Sequence, residues 1–269
     1  MGFVELKESP LAPGASPVRI HFREGGRAKG ARDVPVVFLH GGWGYGYYPI
    51  NRQVAAHGQR YRFVIPDRSG YGQSSRVVGA LPTGFHRLAA EETRLFLDAM
   101  GIERCVLWGH SDGAVIAATM GLAWAERCAA IVLEALHFYK NKPASEEFFG
   151  RLAVDAGVLG ERSQQKLAAD HGEERWREVV QRNADVWTRI GASAKPHEDL
   201  YGGQLGRLAV RTLFLHGRQD PRTEPGEIET AAKSVRGSTL HFIEQGRHCP
   251  HAESAAAEEF SNALGQFLA

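Results

Sequence analysis

Short apolar runs alternate with helical patterns over most of the chain. Val18–Arg23, Val34–Leu39, Tyr61–Ile65, Cys105–Trp108, Ala130–Leu133, Arg211–Leu215 and Thr239–Ile243 read as strands, most of them stopped by Gly- or Pro-containing turns. Residues 85–100 carry Leu88, Leu95, Phe96 and Ala99 at helical spacing, and Gly101 stands where a C-cap belongs. Further helices are predicted over 113–127 and 252–268. Apolar strands alternating with helices predict an α/β fold: a doubly wound, mostly parallel sheet of about eight strands, covered on both faces.

Residues 137–206 break this alternation. They hold three helical patterns bearing Trp or Phe, many charges and no convincing strand. Roughly 70 helical residues late in a parallel sheet exceed a simple crossover. They are expected to form a cap over the strand C-termini, with residues 1–136 and 207–269 as the core.

Composition narrows the function. Lys and Arg number 32 against 31 Asp and Glu, a net charge of +1, so there is no whole-chain basic footprint for nucleic acid. Cys105, Cys128 and Cys249 lie far apart without CxxC spacing, so neither a disulfide framework nor a metal or redox motif is legible. No apolar run approaches 18 residues, and the N-terminus lacks a secretory pattern. The expectation is a cytoplasmic protein with a small-molecule substrate and neither a nucleic-acid nor a membrane partner. Glycine stands out, at 31 of 269 residues against an average of about 7%. Ten of them fall at predicted strand ends: Gly41, Gly42, Gly44, Gly46, Gly70, Gly72, Gly109, Gly113, Gly217 and Gly246.

The chemistry clusters at the same places. Gly109-His110-Ser111-Asp112-Gly113 matches G-x-S-x-G between a predicted strand and a predicted helix, the setting of a nucleophile elbow. A serine nucleophile needs a base, and the base an orienting acid. Asp220 follows one predicted strand and His248 the last, giving the chain order Ser, Asp, His. The backbone N–H of Asp112, next after the serine, suits an oxyanion hole. The Asp112 side chain has two readings: a cap on the helix that follows, or a pocket acid selecting a cationic, amino-bearing acyl group. Trp43, Tyr45, Tyr47 and Tyr48 crowd one glycine-rich loop, while Trp176 and Trp187 fall in the predicted cap. Either group could line a pocket or simply pack.

HGG at 40–42, DRSGYGQS at 67–74, GHSDG at 109–113, GRQDPRTEP at 217–225 and GRHCPHAE at 246–253 together resemble the α/β-hydrolase superfamily, in its cap-bearing, esterase- or lipase-like branch. The resemblance spans about residues 18–268. It implies a nucleophile at Ser111, a base at His248, an acid at Asp220 and no cofactor. The second oxyanion donor would be the Gly42 amide, or failing that Trp43. His251 rivals His248, but the pattern G-x-H-x-P-x-x-E puts the base first; Glu134 rivals Asp220, but the spacing to Pro225 favours Asp220. His40 is expected to hold its loop, His110 to pack, and Asp67 to tie its own turn.

The implied reaction is hydrolysis of a small carboxylic ester or related acyl compound through an acyl-enzyme. The same triad would also serve a lactone, an amide or the C–C bond of a diketone. A receptor on a hydrolase fold with vestigial turnover is the non-enzymatic alternative. Aspartate-nucleophile chemistry is disfavoured by serine at 111.

Overall fold

The computed structural model describes residues 1–27 and 34–269. Eight strands form one sheet: β1 (Gly2–Leu6), β2 (Val18–Gly26), β3 (Val36–Leu39), β4 (Arg62–Pro66), β5 (Cys105–His110), β6 (Cys128–Glu134), β7 (Thr212–Gly217) and β8 (Thr239–Ile243). Their spatial order is β1-β2-β4-β3-β5-β6-β7-β8. Strands β3 to β8 run parallel; β2 is antiparallel to β1 and β4. Among the described residues the α-helices are α1 (Asn51–His57), α2 (Phe85–Ala99), α3 (Asp112–Ala123), α4 (Pro143–Val154), α5 (Glu161–His171), α6 (Trp176–Ala192), α7 (Glu227–Ser234) and α8 (Ala257–Leu268).

The central strands read as continuous apolar runs because both faces are covered, yet their side chains still alternate between two cores. Val37, Leu39, Leu107, Ile131 and Leu133 join the core that holds α2, α3 and α7. Val36, Phe38, Trp108, Val132 and Leu215 join the other, closed by Ile50 and by Phe260, Leu264 and Leu268 of α8. Register brings the strand ends level: Leu39 pairs with Gly109, and His110 with Glu134. The loops that follow β3, β5, β6, β7 and β8 therefore leave from one edge.

The start of the last helix and strand β1 depart most from the pattern-based expectation, and β2, β3 and α3 also end or begin a few residues from it. Strand β1 has no counterpart in the sequence pattern; it is a five-residue edge strand that turns Val4 and Leu6 inward but leaves the apolar Phe3 exposed, so its alternation is not legible. The last helix begins at Ala257 rather than 252, because residues 249–256 are held in turns. There the Glu253 carboxylate accepts from the amides of Arg247 (2.6 Å) and Cys249 (3.0 Å).

Between β6 and β7 the chain builds α4, α5 and α6. This segment is fastened to the rest by buried polar groups. Glu227 of α7 accepts from the amides of Phe138 (2.8 Å) and Tyr139 (3.1 Å) and from Lys142 Nζ (2.7 and 2.6 Å). Arg182 of α6 donates to the carbonyls of Val77 (3.0 Å) and Gly70 (3.2 Å). Among the described residues, no helix is long and apolar enough to cross a membrane.

Candidate active site

Ser111 sits between β5 and α3 with φ 55° and ψ −120°, a conformation side-chain-bearing residues rarely adopt. The turn is tight enough to demand its glycines. A Cβ at Gly109 would lie 2.0 Å from the Gly113 carbonyl oxygen, and one at Gly113 would lie 1.9 Å from that of Leu39. The strain lifts the serine off the strand edge and starts α3 at the next residue. The Asp112 amide thereby takes the first helical position, where backbone N–H groups have no intrahelical acceptor.

The three residues picked from the sequence meet. His248 Nε2 lies 3.1 Å from Ser111 Oγ, and His248 Nδ1 lies 2.8 Å from Asp220 Oδ2. All three are buried. Burial disfavours the imidazolium and pushes His248 below its ordinary pKa, against the opposing pull of Asp220. Burial would raise Asp220, but the nearby His248 charge and its hydrogen bond prevail and hold the carboxyl well below its usual range. The Arg222 amide donates to Asp220 Oδ1 as well, at 2.9 Å.

A fourth group went unpredicted. His137 Nε2 is 3.2 Å from Ser111 Oγ, and its ring stacks on His248 with centroids 5.6 Å apart. It follows β6 by three residues, just after Ala135, whose φ is 48°. The signal that picked out Asp220 and His248, a polar residue just past a strand, was present at His137 too. Burial, reinforced by the Lys142 charge, lowers the His137 pKa well below the ordinary histidine value.

The Asp112 side chain fits neither of its two expected roles. It makes no capping bond and is fully buried. Its carboxylate accepts from Asn183 Nδ2 (2.7 Å), Trp187 Nε1 (2.9 Å) and His86 Nε2 (3.2 Å), joining the elbow to α6 and α2. Burial would raise its pKa, yet the bond to His86 and the His86 charge hold it far below the carboxylate range. An acid committed to three protein donors has little left to offer a cationic acyl group.

The other aromatic candidates divide. Trp187 rings contact His137 and His86, beside the serine. Trp43 packs against Tyr47, Tyr48 and Phe148. Tyr45 is placed away from any acyl pocket: it joins the core on the α8 side, donates to Asn51 and lies under Arg23. Trp176 is buried within its own segment. Gly42 lies directly beneath the Asn183 side chain, which bridges that loop and Asp112.

The rival residues have structural duties. Glu134 pairs with His251 Nδ1 (2.6 Å) and accepts from Trp108 Nε1 (3.0 Å) behind the serine. His251 Nε2 in turn donates to the Tyr48 carbonyl, at 3.0 Å. His110, Glu134 and His251 approach closely enough to suggest a metal, but the last two are spent on protein partners. His110 Nε2 donates to the His248 carbonyl (3.1 Å), bracing the loop that carries His248. His40 holds its own loop through the Gly41 carbonyl (2.7 Å) and the Arg68 amide (3.2 Å). Asp67 does not tie its own turn through its carboxylate. It binds His21 (2.8 Å) and Arg23 (2.7 Å) of β2, while Ser74 closes the turn on the Asp67 carbonyl.

A family model described as the alpha/beta hydrolase family matches residues 36–263. The chain is similar to the human serine hydrolase BPHL, 24% identical over 93% of this chain and 83% of that protein. It is also similar to 2-hydroxy-6-oxo-6-phenylhexa-2,4-dienoate hydrolase of Comamonas testosteroni, 27% identical over 99% of this chain and 95% of that one. Among solved structures, a thermophilic esterase from Thermogutta terrifontis superposes with a TM-score of 0.72 at 20% identity, covering 100% of this chain and 98% of the other.

Proposed function

Because the chain belongs to the alpha/beta hydrolase family, we propose that it is a serine hydrolase, cleaving a small carboxylic ester or related acyl compound through an acyl-enzyme on Ser111, His248 and Asp220. The observation that carries this reading is the unbroken relay from Asp220 Oδ2 through His248 to Ser111 Oγ, at 2.8 and 3.1 Å.

The hydrogens follow from the geometry. Asp220 accepts from His248 Nδ1–H, which leaves the Nε2 lone pair to take the serine proton. As Ser111 Oγ bonds to the carbonyl carbon, that carbon's oxygen becomes an oxyanion, met by the N–H groups of Asp112 and Gly42, with Trp43 as the alternative donor. His248 then gives its proton to the leaving group. It next takes one from water, which attacks the acyl-enzyme; as the bond to Ser111 Oγ breaks and the acid is freed, His248 returns that proton to Oγ. Residues 137–206 act as a cap, closing the site from water through Asn183 and Trp187.

The C–C bond hydrolases among its relatives make cleavage of a vinylogous diketone the second reading, on the same residues. A fluorophosphonate probe tests the common core. It is expected to label the parent at Ser111 and to leave Ser111→Ala unlabelled; equal labelling of both would overturn the assignment. A panel of esters, lactones and diketones then separates the bonds.

A further inference from the structure

A cleft of about 520 Å³ opens on His248, walled by the loop after β3, by α5 and by the loops that carry Asp220 and His248. Its rim is strongly cationic. Arg162 and Lys166 come from α5, Arg222 from the acid's loop and Arg247 from the base's loop. The chain as a whole carries a net charge of only +1, so four cations around one opening is a local arrangement and not a reflection of composition.

Among the described residues these cations have no anionic partner. Among the described residues none of the four takes part in an ion pair, although several arginines elsewhere along the chain, such as Arg94, Arg127, Arg189 and Arg218, do. The one acid lining the cleft is Glu253, and both of its oxygens already accept backbone amides, from Arg247 and Cys249. Unpaired like charges around a concave wall reinforce one another's field and draw in an anion.

Two of the cations, Lys166 and Arg222, are also held against aromatic rings. Arg162 and Lys166 are four apart on α5 and share a face. That helix is fixed to the opposite wall by Ser163 Oγ and Tyr47 OH, 2.7 Å apart, and Lys166 Nζ lies 5.5 Å from the Tyr47 ring centroid. Arg222 carries its guanidinium carbon over the rings of Phe148 and Trp43, 4.2 and 5.3 Å from their centroids. A planar guanidinium matches a carboxylate with two parallel hydrogen bonds.

We propose that this cleft recognises a carboxylate on the substrate, Arg222 and Arg247 with Arg162 and Lys166 holding the anion while the scissile carbonyl reaches Ser111. The inference rests on the hydrolase reading and gives its substrate class: acyl compounds bearing a free carboxylate a few bonds from the carbonyl under attack. It reverses the charge that Asp112 suggested in the sequence, since that acid is consumed internally and the open cleft is positive.

The test compares mono-4-nitrophenyl glutarate, with its free carboxylate, against its neutral methyl ester. The free acid is expected to show kcat/KM at least about tenfold higher at low ionic strength, a preference that shrinks as salt is raised. Arg222→Gln, and the pair Arg162→Gln with Lys166→Gln, should each reduce that ratio several-fold, while Lys233→Gln on α7 leaves it unchanged. Calorimetry on Ser111→Ala, which cannot form the acyl-enzyme, reads recognition without turnover: the free acid should bind about tenfold tighter than the methyl ester. Equal binding of the two, or a preference indifferent to salt and to the substitutions, overturns the proposal. Charge-dependent binding with no turnover or labelling by the parent would sink the hydrolase reading and leave anion recognition standing.

Discussion

His137 and His248 both reach the same oxygen, their Nε2 atoms 3.2 and 3.1 Å from Ser111 Oγ. The serine has one proton to give. His248, donating through Nδ1 to Asp220, must accept it; His137 can then meet Oγ only as a donor, through Nε2–H.

The two imidazoles should therefore respond differently to removal. His248→Ala is expected to cost about 10³-fold or more in kcat/KM, as loss of a general base does. His137→Phe, which removes a single neutral hydrogen bond, should cost about tenfold or less, and His137→Gln, which can still donate, less again. Steady-state kinetics on a chromogenic ester check this. A His137→Phe loss as large as that of His248→Ala would reassign the base.

The pH profile follows from the direction of the His248 shift. The base must be neutral, and burial holds its pKa below the ordinary value of about 6.5. Activity is lost as pH falls through that lowered pKa, so kcat/KM should stay flat from neutrality through about pH 6.5 and drop only below it. Asp220→Asn removes the partner that favours the imidazolium. It should move the acid limb further down while lowering kcat about 10⁴-fold, because the imidazole loses its fixed tautomer. Rate–pH curves for both proteins test the two shifts.

Asp112 should matter to stability as well as to rate. Asp112→Ala strands the buried donors of Asn183, Trp187 and His86 and is expected to cost about 3–5 kcal/mol in urea unfolding. Trp187→Phe removes one donor and keeps most of the packing, so about 1–2 kcal/mol is expected. If Asp112→Ala unfolds with the parent's midpoint, the carboxylate is not what joins the elbow to α6.

The Lys142–Glu227 pair makes a second, independent fastening. Glu227→Gln leaves a buried ammonium without its counter-charge and should cost about 3–5 kcal/mol. The Glu147–Arg151 pair on α4 is exposed, so Glu147→Gln is expected to leave the denaturation midpoint unchanged. Parallel denaturation curves compare them.

Local pattern determined a good deal of this protein. The central strands, α2 and the strand-to-helix turn at Ser111 are legible because burial on both faces, 3.6-residue periodicity and a glycine-bracketed turn are written within a few neighbouring residues. Asp220 and His248 could be picked out because strand ends mark where a rigid sheet presents polar groups. Tertiary structure alone decided the rest. Asp112 finds its partners 26, 71 and 75 residues away, so its role depends on how α6 crosses the elbow. His137 reaches Ser111 only because β5 and β6 are adjacent and in register. The cationic cleft gathers residues from α5 and two distant loops. Hydrophobic periodicity is a short-range property of the chain, whereas the partner of a buried charge is fixed by packing between segments far apart in sequence.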